Sequence, residues 1–192
     1  MNAYSLIIAG WVSVFTAVLS IPLMVVSLLL AVWPENEALE ATTKGLSLVL
    51  TALGIYILLA LRKLLHAHRF HAADLVIALL VGGFVVTEVL EIPGALVAPR
   101  AFIDTMLIAF AVVLAVLSAV LGFKVLPAAT LVRGPMAAYA YLAIATGVCF
   151  ATIVLIPIGL LTSLAETVCL AMVFFRESEV QRASESATDA NA

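Results

Sequence analysis

The sequence predicts an all-α protein, a polytopic bundle of membrane-spanning helices. Of its 192 residues, 65% are hydrophobic and 11% charged, where a soluble domain averages roughly 45–50% and about 25%. The few charges are clustered, leaving uncharged runs over residues 4–33, 45–61 and 105–123. These runs far exceed the roughly 9–11 alternating residues of a barrel strand. In hydrocarbon the backbone must bond internally, so the spans are helices.

Each span is bounded by charge. The first covers residues 4–33, longer at about 1.5 Å per residue than a ~30 Å hydrocarbon core requires, so it tilts or bends. No basic residue precedes it, so it lacks the n-region of a cleaved signal and is expected to stay in the mature protein. The second covers 44–65, between Lys44 and the basic stretch that opens at Arg62. The third covers 73–93, and to cross at all it must include Glu88. The fourth, 102–125, contains a nineteen-residue run between Asp104 and Lys124. The last block, 137–176, is too long for one ordinary crossing, and residues 177–192 form a polar tail expected to be disordered.

The last block admits two readings. Folded back at Pro157-Ile158-Gly159 it makes a sixth span and gathers seven of the nine Lys+Arg on the side of Met1. Continuous, it makes five spans, divides those charges five to four, and sends the tail to the other side. The stretch 155–160 offers no Asn, Asp or Ser to bond a turn's freed backbone groups. Tyr4, Phe15, Ile21-Pro22 and Ser27 also recur at an offset of 135 as Tyr139, Phe150, Ile156-Pro157 and Thr162. Pro22 must be an internal kink, because too few residues follow it to cross again, and by analogy Pro157 is one too. Five spans are therefore expected, six being the alternative. Since Lys and Arg in short loops stay on the cytoplasmic side, the N-terminus and the connections 62–74 and 124–135 are expected inside, in the plasma (cell inner) membrane.

Chemistry-bearing residues are sparse. A formal charge of −3 supplies no basic excess for nucleic acid. Cys149 and Cys169 make neither a disulfide scaffold nor a four-ligand zinc site. All three histidines fall in residues 66–71, past the end of a span, which argues against haem, and no cofactor is expected. On a continuing helix His68, His71 and Asp74 would share one face as a metal-ligand set, with His66 pointing elsewhere. Glu88, Glu91 and Glu166 are the costlier residues, because a carboxylate at membrane depth must be paired, neutralised or wet. In the five-span arrangement all three lie toward the outer side, where Arg100 or Lys44 would pair with them or a cation or proton would be shared. Small residues repeat as Ala111, Ala115, Ala119 and as Ala143, Gly147, Ala151, a pattern that lets helices approach closely in lipid.

The function expected is non-enzymatic: a helical subunit or accessory factor of a membrane assembly. Its partners would be the bilayer and either another membrane protein or further copies of itself. The alternative is a small ion- or proton-coupled transporter working through the carboxylates.

Overall fold

The computed structural model describes residues 2–33, 36–91, 100–132, 134–152 and 155–189, and among them every regular element is helical. Six α-helices follow in order: α1 (Ala3–Val32), α2 (Glu37–Ala67), α3 (Asp74–Glu91), α4 (Arg100–Val125), α5 (Met136–Ala151) and α6 (Ile156–Asp189). A 3-10 turn, Leu126–Thr130, leads out of α4. Four helices, α1, α2, α4 and α6, are long and apolar enough to cross a membrane, and α5 is a shorter apolar one. The chain is a helical membrane bundle. Each helix packs on its neighbours in sequence, and α1 closes on α6, so the six form a ring in which α3 and α6 stand on opposite sides.

Three hydroxyls of α1 bond to their own helix, which satisfies them in lipid. Ser13, Thr16 and Ser20 of α1 donate to the carbonyls of Ala9, Val12 and Thr16, four residues back. Asn36 caps α2 by accepting from the backbone N–H groups of Ala38 and Leu39.

The block 137–176 is not one kinked helix. α5 ends at Ala151, and α6, from Ile156, runs back along α5. Thr146 donates to Thr162 across the pair at 3.0 Å, and a side chain on Gly159 would meet Cys149 and Phe150. The turn begins earlier than the stretch searched for turn residues, and it has a polar residue. Thr152 gives its backbone N–H to Val148 and its hydroxyl to the Cys149 carbonyl, closing the end of α5. Pro157 falls in the first turn of α6, where a missing N–H removes no helical bond, so it starts a helix instead of bending one. Pro22, in contrast, lies inside α1.

Two corrections follow. The tail lies at the same end as residue 2 and the 68–73 connection, because Glu177 of α6 pairs with His68 at 3.4 Å. The polar tail, expected to be disordered, is helical to Asp189, and Glu177 and Ser178 are buried against that end.

The core also sits at this end. Leu6 and Ala9 of α1, Leu61, Leu64 and Leu65 of α2 and Ile77 of α3 meet Leu121 and Val125 of α4, Tyr139 of α5 and Val173 and Phe174 of α6. The opposite half is different: from Val18 onward α1 buries no described side chain, and neither do α2 before Ile57, α3 after Leu80 or α4 before Ala115. Among the described residues α5 and α6 stay closely packed there, with α5 set against α4. A side chain on Gly147 would strike the Ala115 carbonyl and Ala119, so the two helices meet backbone to backbone.

The hairpin predicts a disulfide. With Cys149 and Cys169 replaced, Thr146→Cys with Thr162→Cys should oxidise within one chain, seen as a mobility shift on a non-reducing gel. On one continuous helix the same residues would stand about 24 Å apart, and no bond would form.

Candidate functional site

Ionisable groups collect in three places. The first is the rim where α2 hands over to α3. The sequence does not continue the helix here: α2 stops at Ala67, and Arg69 takes a left-handed φ of 57°. The Phe70 N–H reaches the Leu65 carbonyl and the Arg69 N–H that of His66, both at 2.9 Å, closing the helix in the manner usually reserved for glycine. Phe70 packs on the core behind this turn. The reversal brings His71 back over His66, their rings 4.4 Å apart, with Asp74 at the start of α3 beneath them.

His66 Nε2 lies 2.6 and 2.8 Å from the two carboxylate oxygens of Asp74, His71 Nδ1 lies 3.4 Å from Oδ2, and Arg62 Nε donates to Oδ1 at 3.1 Å. Desolvation alone would raise the Asp74 pKa, but the hydrogen bonds from His66 and Arg62, with their charges, hold it below the ordinary carboxylate value. The expected trio of His68, His71 and Asp74 is thus altered. His68 turns to Glu177, and His66, expected to point elsewhere, takes its place. The signal missed was Phe70, an apolar residue placed to anchor a helix end that has no glycine.

The second place is the far end. Glu91 closes α3 and is exposed, Glu88 one turn earlier is half-buried, and Lys44 lies within electrostatic reach of Glu91. Lys44 is bound to Glu40 of its own helix at 2.7 Å. Arg100 opens α4, and its side chain lies outside the described residues.

The third is Glu166, ten residues from Ile156 and ten from Arg176, or about 15 Å from either end of the apolar part of α6. It lies at mid-depth, not toward one side. It has Thr146 of α5 within hydrogen-bonding reach, and Tyr139 and Cys169 within electrostatic reach. Glu166 therefore does not join Glu88 and Glu91: α3 packs on α2 and α4, while α6 packs on α5 and α1. The expected three-carboxylate site does not assemble.

The left-handed residue gives a prediction. Arg69→Gly should raise stability by about 1 kcal/mol in a denaturation series in detergent, because glycine adopts this conformation without steric cost. Arg69→Val, branched at Cβ, should lower it.

Comparison with protein-family models, with curated proteins and with solved structures gives no match for this chain.

Proposed function

We propose that the protein is a non-enzymatic helical subunit of a membrane assembly, its far half completed by a partner helix or by another copy of the chain. One observation carries this reading: α1 to α4 are knitted into a core at one end and bury no described side chain in the half beyond it. Lipid supplies no hydrophobic drive between helices, so a bundle gains by close packing, and here much of that packing is left to be made. Arg62, Lys63, Arg69, Lys124 and Arg176 gather at the core end. Their retention rule supports a cytoplasmic N-terminus and C-terminus in a plasma (cell inner) membrane.

Photo-crosslinking residues at Met24 and Leu50, both half-buried in the far half, test the reading in native membranes. Adducts of discrete protein mass are expected at both positions. Adducts to lipid alone would reject it.

A second reading, a proton-coupled carrier, rests on Glu166. Thr162 donates to the Gly159 carbonyl and Thr146 to Thr162. The Thr146 hydroxyl is thus shared between Thr162 and the Glu166 carboxyl one turn further along α6. A carboxyl at mid-depth beside hydroxyl groups is the kind of group a proton relay uses. In proteoliposomes under an imposed pH gradient, Glu166→Gln should reduce proton uptake at least tenfold and remove a carboxylic-acid C=O band from the infrared spectrum. Equal uptake by wild type, Glu166→Gln and empty vesicles would eliminate this reading and leave the first untouched.

A further inference from the structure

We propose that His66, His71 and Asp74 bind one divalent transition-metal cation of the zinc type, which clasps the end of α2 to the start of α3. The three residues come from two helices and the turn between them, and their ligand atoms all lie within 4.8 Å of one another. Two imidazoles and a carboxylate are a donor set suited to a borderline-soft ion and poorly suited to magnesium or calcium, which prefer all-oxygen shells.

The distances fit coordination. Ligand atoms on a tetrahedral zinc with bonds near 2.05 Å stand about 3.3 Å apart. His71 Nδ1 is already 3.4 Å from Asp74 Oδ2, and His66 Nε2 is 2.8 Å from the same oxygen, so a small opening of that pair admits an ion. Arg62 Nε holds the other carboxylate oxygen at 3.1 Å, which leaves Oδ2 as the ligand and fixes the plane of the group from outside, as orienting partners do in metal sites. His71 is exposed, so the fourth position opens to water and to entering ions.

The placement gives the ion a structural consequence. Among sequence neighbours α2 and α3 share the slightest packing in the ring. A cation held by both would tighten that seam, and because only the folded chain presents the three ligands together it would stabilise by mass action.

The test uses the full-length protein without a polyhistidine tag, in detergent at neutral pH, titrated with Co²⁺ and then with Zn²⁺. One equivalent of Co²⁺ should give the visible bands of a tetrahedral site, Zn²⁺ should displace it, and Zn²⁺ should raise the melting temperature. His71→Ala removes an exposed ligand outside the core and should weaken binding at least tenfold without changing the apo melting temperature. His68→Ala should bind as wild type does. Either no binding at tenfold molar excess of metal, or stoichiometric binding that survives both His71→Ala and His66→Ala, would overturn the proposal.

Discussion

The close approach of α5 to the helices on either side is the constraint on which the rest depends. Gly147 lets α5 touch the backbone of α4 at Ala115 and Ala119, and Gly159 lets α6 come down on Cys149 and Phe150. In a solvent as apolar as the side chains, such contacts replace hydrophobic burial as the force that joins helices. With α5 held between α4 and α6, the chain reverses direction after Thr152. α6 must then run back toward the core end, and its polar continuation must emerge beside residue 2. The side on which the tail lies follows from two glycines and a threonine cap.

That geometry also sorts the carboxylates. Three in one place would repel and need a shared proton or cation. The ring keeps α3 opposite α6, so Glu88 and Glu91 stay at an end, where Lys44 is within electrostatic reach of Glu91, while Glu166 is left at mid-depth beside Thr146. Asp74 has a different answer, with histidines and an arginine around it at a rim. Asp74 and Glu177 find basic partners at the core-end rim, and Glu166, inside the bilayer, has the Thr146 hydroxyl within reach.

The bundle is uneven along its axis. Large side chains interlock at the core end, where Tyr139 and Phe174 are almost wholly buried, and the buried Glu177 and Ser178 extend that packing past the apolar zone. Away from it, α1 to α4 expose their flanks. A metal clasp between α2 and α3 would act at the core end, reinforcing the seam there that side chains fill least.

The sequence by itself determined that this is a helical membrane bundle, since composition and the spacing of charges decide it before any packing is known. The uncharged runs it showed mark α1, α2 and α4, and the charged residues and histidines stood out because the background is so apolar. The small-residue stripe Ala115, Ala119 and Gly147 was legible as a packing surface for the same reason. Only the tertiary structure decided whether Pro157 bends a helix or begins one. The residue suits both, and the choice lay with the contact of α5 on α6. Nor could helical spacing tell that His66 instead of His68 would face Asp74. A left-handed Arg69, held by Phe70 in the core, breaks the periodicity on which that reading depended, and its cause lies in residues distant along the chain.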